Sequence, residues 1–256
     1  MTASPARVEV QHEPSALAPP RARLSLVFPI FDEEQNIEPL LGTAHEIASR
    51  LTPDFEIILV DDGSRDRSAE IIDTWCQQDP RFRLLRHARN TGYGAALHSG
   101  LREAKGELIF FSDADLQFDL SELDSLIEHA EQFDIVAGYR AQRSDPWPRR
   151  ALAGTWNAIV RTLFGLEIRD IDCAFKLFRR EVIEAIPIES IGAFVNTEIL
   201  VRASALGFRI HQVPVSHHRR RHGDQSGGNP RVILRAVIEL ATLYRDLYRA
   251  RRNGSQ

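Results

Sequence analysis

"ELIFFSDADLQF", residues 107–118, decides the architecture. Leu108–Phe111 is an unbroken apolar and aromatic run, and it gives way within one residue to Asp113, Ala114, Asp115 and then Gln117. A short run that is apolar at every position reads as a strand buried on both faces, as in a parallel sheet covered by helices on either side. Side chains alternate along a strand, so Asp113 and Asp115 project to the same side, where like charges repel. A divalent cation relieves that repulsion. Mg²⁺ or Mn²⁺ prefers oxygen ligands and keeps positions open for phosphates, and the side-chain oxygen of Gln117 would add a neutral ligand. Without a ligand, the same stretch reads as a solvated strand end with turn-forming aspartates.

The segments on either side repeat the pattern. "RLSLVFPIF", "FEIILVDDG", "FRLLRHARN" and "FDIVAGYR" read as further strands, and the stretches between them carry helical periodicity from about Glu34 to Leu51, through "SAEIIDTWCQQ", through "YGAALHSGLREAKG" to Gly106, and through "SELDSLIEHAEQ". Ser121 and Asp124 are spaced like a capping box for the last of these. Strands alternating with helices predict an α/β domain with a mostly parallel sheet, whose ligands bind beyond the C-terminal strand ends. "PIFDEEQN", "DDGSRDRS", "RNTGYGAA", "DADLQ" and "YRAQR" therefore converge on one edge. Ser64, Asp66 and Ser68 are also good helix N-cap residues, but capping does not account for Asp61–Asp62 and Asp113–Asp115 together.

The second half is less regular. "PRRALAGTWNAIVRTLFG" reads as a helix, "DIDCAFKLFRREVIEAI" as a strand or loop entering a short helix, "NTEILVRASALG" as a helix closed by Gly207, and "FRIHQVPVSHH" as a strand. A polar, Gly-rich loop precedes a long helix from Pro230, which suits a first helical turn. Residues 1–22, with four prolines and no amphipathic period, read as a disordered tail. The expected organisation is this tail, a catalytic domain over 23–228, and a basic amphipathic helix and tail over 229–256.

Charge divides the chain. From residue 201 onward there are eleven arginines, no lysine and three acids (Asp224, Glu239, Asp246), a surplus of eight positive charges; with the whole chain at −4, the first 200 residues stand at −12. An acidic body with a basic C-terminal part points to an anionic surface or ligand on one side. Cys76 and Cys173 have no metal-type spacing and read as reduced thiols in a cytoplasmic protein. No apolar run approaches the ~18–20 residues that span a bilayer, so membrane contact is expected to be peripheral. His217, His218 and His222 fit no common zinc spacing.

Four ordered stretches, "VFPIFDEEQNI", "ILVDDGSRDRS", "FSDADLQ" and "RRRHGDQSGGN", together resemble the inverting family 2 glycosyltransferases, and among them the dolichol-phosphate mannosyltransferase and polyprenyl-phosphate sugar synthases. The resemblance runs from about residue 23 to 235. It implies a single nucleotide-sugar-binding, Rossmann-like glycosyltransferase A fold with one D-x-D metal site, Mg²⁺ or Mn²⁺ as its ion, and a UDP- or GDP-hexose donor. Carried over by position, Pro29, Phe31 and Glu33 would line the base and ribose pocket, with Asp61, Asp62 and Ser64 completing it. Asp113, Asp115 and Gln117 would hold the metal against the donor diphosphate. Glu34 reads as a first-turn helix acid.

For a polyprenyl phosphate acceptor (dolichyl or undecaprenyl), the resemblance implies that Arg140, Arg150 and Arg220 contact the phosphate. Neighbouring Arg143, Arg149 and Arg219 read equally well as solvated surface. Asp172 matches an acidic position near the reacting centre, in catalytic company with Asp115 and Arg140. The family pattern there often reads D-P-x-S-G, whereas this chain has Asp172-Cys173-Ala174-Phe175. Glu198 matches a helix position open to a structural role. Gly223–Asn229 resembles a flap over the donor. The last helix carries an apolar stripe flanked by arginines, which serves core packing, a homodimer face or an interfacial helix on anionic lipid at the cytoplasmic membrane face. Docking by this helix or through a membrane partner is expected, and no nucleic-acid partner. Two other readings stand beside this one. In the first, a soluble or protein-bound hydroxyl is the acceptor and Asp172 the base. In the second, the chain is a non-catalytic nucleotide-sugar-binding module, which the complete D-x-D pair opposes.

Overall fold

A computed structural model describes residues 23–141, 147–220 and 230–253, with side chains described throughout except at 147–150, 230, 231 and 250–253. The expected tail, the Gly223–Asn229 flap and the side chain of Arg150 lie outside the described residues.

Seven strands form one sheet: β1 (Leu24–Ile30), β2 (Phe55–Asp61), β3 (Phe82–Arg86), β4 (Leu108–Ser112), β5 (Ile135–Arg140), β6 (Phe175–Arg179) and β7 (Ile210–Val215). Their spatial order is β3-β2-β1-β4-β6-β5-β7. β1 pairs in parallel with β2 and β4, β2 with β3, and β5 with β7, while β6 runs antiparallel between β4 and β5. The C-terminal ends of the six co-directional strands thus share one edge with the N-terminal end of β6. That reversed strand brings Asp170–Ala174 to the edge where the other strands end.

The helices are α1 (Glu34–Leu51), α2 (Ser68–Gln78), α3 (Tyr93–Glu103), α4 (Leu123–Ile127), α5 (Trp147–Phe164), α6 (Arg180–Ala185), α7 (Val195–Ala205) and α8 (Pro230–Asn253). Strand alternation divides the core in two. Leu24, Leu26, Phe28 and Ile30 pack with Leu40, Leu41 and Ala44 of α1. Val27, Ile58 and Val60 face Leu97 and Leu101 of α3, in a cluster that also takes in Val195 and Leu200 of α7 and Leu240 and Leu243 of α8.

Two local expectations are corrected. The helix predicted over 121–132 is a 3₁₀ turn, Leu120–Glu122, followed by the short α4. Its cap is Asp119, which accepts hydrogen bonds from the backbone N and the Oγ of Ser121, so the Ser121–Asp124 capping box does not form. The helix predicted to end at Gly106 stops at Glu103. Gly106 instead lies against β1, where a Cβ would come within 2.5 Å of the Ser25 nitrogen.

Candidate active site

The loops after β1 and β2 are laced together. Asp32 N donates to Ser64 Oγ, Glu33 N to Ser68 Oγ and Glu34 N to Asp66 Oδ2; in return Arg65 N donates to Asp32 Oδ1 and Arg67 N to Glu34 Oε2. Ser64, Asp66, Ser68 and Glu34 thereby join the N-termini of α1 and α2 to each other. Asp32 adopts φ 54°, an uncommon conformation for a residue with a side chain, held by this lacing.

Asp61 ends β2, beside Ile30 at the end of β1. It is 1% exposed, its Oδ1 accepts from Ser64 N, and its Oδ2 has no hydrogen bond, with Arg86 Nε 3.5 Å away. Pro29 is buried in β1, and Phe31, just beyond the strand, is half-buried. Asp62 is different. Its Oδ1 accepts from Thr91 N and Thr91 Oγ1 and meets His87 Nδ1, and its Oδ2 accepts from Gly92 N. These bonds hold its carboxyl below the usual range against the opposing effect of burial. Its carboxylate anchors the loop entering α3.

Asp113 and Asp115 lie just beyond β4, not within it as alternation supposed: the strand stops at Ser112, and the bend that follows carries both acids. Asp115 is 6% exposed, accepts from Gln117 N through Oδ1, and lies 3.6 Å from Arg220 Nη1 through Oδ2. Asp113 Oδ1 is buried with no hydrogen bond. Burial, then the neighbouring charge of Asp115, push the Asp113 carboxyl up to about 7, against the opposing pull of Tyr93, Lys176 and Arg140. Three cations, Lys176, Arg140 and Arg220, thus act on the pair without fully compensating it. Leu116, between the second acid and Gln117, has φ 58°, a left-handed conformation that costs a branched residue about 1–3 kcal/mol. Gln117 Nε2 donates to the His218 carbonyl and its own carbonyl accepts from His218 N, so of the Gln117 side chain only Oε1 can serve a metal.

A cavity of about 320 Å³ opens from these acids. Asp113, Asp115, Asp172, Arg140 and Arg220 line its polar part; Leu152 and Trp156 of α5, Phe194, and Ile233 and Ala236 of α8 line the rest. Arg140 reaches it from the end of β5. Asp170, which sequence reasoning missed, grips its guanidinium with bonds of 2.6 and 2.8 Å; both side chains are at least nine-tenths buried. The alternation of acids in "RDIDCAF" was the available signal. Arg220 is paired with Glu33 and Asp115. Burial raises the Glu33 carboxyl, while Asn36 and Arg220 oppose the rise. Arg219 is exposed, and His217 packs against Phe118 at 5.4 Å in the cavity wall. Glu198 is buried and is not among the cavity-lining residues; it accepts from Glu189 N and Ser190 N and pairs with Arg202.

Comparisons with known proteins identify the family and the fold. Residues 25–186 match the model of Glycosyl transferase family 2. Undecaprenyl-phosphate 4-deoxy-4-formamido-L-arabinose transferase of Pseudomonas fluorescens is 32% identical over 221 residues, and that of Pseudomonas aeruginosa 33% over 227; each alignment covers 86% of this chain and 64% of the relative. The chain thus spans just under two thirds of the curated relatives it matches. Among solved structures, glucosyl-3-phosphoglycerate synthase from Mycobacterium tuberculosis, in complex with Mn²⁺, UDP and phosphoglyceric acid, superposes with a TM-score of 0.65 at 20% identity, covering 89% of this chain and 76% of that one. A mannosyltransferase from Pyrobaculum calidifontis, in complex with GDP-Man and Mn²⁺, gives 0.57 at 19%, covering 83% and 62%. These likenesses establish the fold, the glycosyltransferase A type, and the sequence matches establish more: this chain belongs to glycosyl transferase family 2.

Proposed function

We propose that the chain transfers a sugar from a nucleoside diphosphate to the phosphate of a polyprenyl phosphate, with inversion, in a single in-line displacement. One observation favours a lipid acceptor over a soluble one: a single cavity joins the Asp113–Asp115 acids to an apolar wall between α5 and α8. On α5, Leu152, Trp156, Ile159 and Leu163 recur at helical spacing on one face. The first two line the cavity, and Ile159 and Leu163 stand exposed beyond it. That stripe offers the first isoprene units a path from solvent or lipid to the acids. The relatives' names point to the same acceptor class.

In this reading the donor lies over the β1, β2 and β4 ends. Asp61 Oδ2, which makes no hydrogen bond and has Arg86 Nε 3.5 Å away, accepts an N–H of the base, since a buried acceptor lacking a hydrogen bond is costly. Asp113 and Asp115 fit a divalent ion. Asp113 has an orphan buried oxygen, the two acids repel each other, and no larger group of His, Cys, Asp and Glu is set for a metal among the described residues. Mg²⁺ or Mn²⁺ bound there would stabilise negative charge on the departing diphosphate. Arg140, held rigid by Asp170, presents a cation to the acceptor phosphate, and Arg220 stands where donor and acceptor halves meet. A phosphate monoester is largely ionised at neutral pH, so its oxygen attacks without a strong general base. Asp172 then orients the reacting groups, and positioning and charge account for the rate.

No helix among the described residues is long and apolar enough to cross a membrane. The outer face of α8 instead exposes Leu234, Val237 and Ile238 near its start and Arg245 and Arg249 near its end, a pattern that fits peripheral docking on anionic lipid.

The test is a screen of UDP- and GDP-sugars against a short-chain polyprenyl phosphate with Mg²⁺ or Mn²⁺, scored for a lipid-linked sugar. Transfer only to soluble hydroxyl acceptors would overturn the lipid reading. Cosedimentation with anionic vesicles that falls steeply with ionic strength supports docking; salt-independent or absent binding removes it.

A further inference from the structure

Lys176 is one of only two lysines in a chain whose Lys and Arg total 32. It lies in β6, paired in register with Phe111 of β4, two residues before Asp113, and it is 1% exposed. Its Nζ donates to the carbonyls of Ile171 and Cys173 and to Asn196 Oδ1, the first and last at 3.1 and 3.0 Å. An ammonium has three donors, and all three are used. The two carbonyls are those on either side of Asp172. Asn196 in turn approaches the Tyr93 hydroxyl, which lies buried between Asn196 and Asp113 without a hydrogen bond of good geometry to either. Tyr93, Asn196, Asp113 and Asp172 all line the cavity. Burying a cation is costly, and a hydrophobic residue would fill this β6 position in an ordinary sheet. None of the roles assigned above uses it.

We propose that Lys176 is a positioning residue for the transfer reaction: it clamps the carbonyls of the two residues that flank Asp172 and, through Asn196 and Tyr93, sets the distance between the Asp172 wall and the Asp113 wall of the cavity. A lysine suits the task where an arginine does not, because three acceptors converge on one point and a planar guanidinium cannot meet them. This inference rests on the proposed transfer reaction, yet it does not depend on which acceptor is used.

The test uses the full chain carrying Lys176→Met, Lys176→Arg or Asn196→Leu. Three readouts are taken: circular dichroism and melting temperature; the midpoint of stabilisation by MnCl₂ alone; and kcat and KM for whichever acceptor the wild type accepts. Lys176→Met and Asn196→Leu should keep the fold and bind Mn²⁺ within about three-fold of wild type. Their kcat should fall at least about ten-fold, while KM for the donor changes little. Lys176→Arg should fail to restore kcat. A folded Lys176→Met or Asn196→Leu with wild-type kcat overturns the proposal, as does a loss confined to KM. Should Lys176→Met not fold, Asn196→Leu decides alone, since it removes the link while leaving the charge and the carbonyl clamp. A wild type that transfers to a soluble acceptor refutes the lipid reading and leaves this test intact.

Discussion

At the N-terminal edge of the sheet, Glu56 is 2% exposed and fully engaged: Ser25 Oγ, Lys105 N and Arg83 Nη1 all donate to it. At the C-terminal edge, Asp61 and Asp113 each keep a buried oxygen with no hydrogen bond, and Asp113 and Asp115 sit side by side. The residue class and the burial match, and the satisfaction differs. A buried carboxylate without partners is costly, so a fold retains one where a ligand will supply the partner; one with every acceptor filled serves the fold itself. Substitutions at the two edges should therefore separate activity from stability.

The largest effect belongs to the unsatisfied edge. Asp113→Asn or Asp115→Asn should lower metal-dependent transfer at least about 100-fold. The same variants should melt no lower than wild type without metal near neutral pH, because a like-charge repulsion is removed. Unfolding of both would show the pair to be structural. Glu56→Ala should do the reverse. It strands Lys105 N and part of Arg83, at a cost of about 2–3 kcal/mol, and should lower the melting temperature by about 5–10 °C with kcat near wild type. The pH response follows. Although burial opposes it, the bonds from Arg83, Ser25 and Lys105 hold the Glu56 carboxyl below its ordinary 4.5. Its contribution is present above that value and is lost as pH falls through the lower folded-state value, so the acid limb of wild-type stability should be steeper than that of Glu56→Ala.

The part of this contrast legible in the sequence was the part written in local pattern. Apolar strands followed at once by acids announced the C-terminal edge, and Asp113–Asp115 was readable as a pair because two acids one residue apart close an apolar run, although a bend and not strand alternation carries them. The reversal of β6 was not readable. "CAFKLFR" pairs as a strand only because β4 and β5 flank it, and that choice is made by tertiary contacts. With it were hidden Asp170 behind Arg140, a partnership across thirty residues that leaves no periodic trace, and Lys176 behind Asp172, whose bonds to the Ile171 and Cys173 carbonyls depend on how the chain enters the reversed strand. The visible clues were the alternating acids of "RDIDCAF" and a lone lysine in an apolar run. The failed capping box at Ser121 shows the converse: a correct local signal lost to Asp119, an equally good cap two residues earlier.

The smallest predicted effect probes the rule most sharply. Asp62 lies at the C-terminal edge, adjacent to Asp61 and inside a motif whose resemblance implies donor binding, yet like Glu56 it has its oxygens engaged, here by Thr91, His87 and Gly92. If location decides, Asp62→Asn should behave like Asp113→Asn. If satisfaction decides, it should behave like Glu56→Ala on a reduced scale: an amide in place of Oδ2 sets an N–H against Gly92 N, at a cost of about 1–2 kcal/mol. Satisfaction predicts a melting temperature lower by a few degrees and transfer within about three-fold of wild type. A 100-fold loss of transfer at an unchanged melting temperature would break the comparison, because a filled carboxylate would then be acting on substrate. A stability loss with transfer preserved would assign Asp62 to the scaffold, and leave Asp61, whose Oδ2 makes no hydrogen bond, as the carboxylate of that motif assigned to the donor.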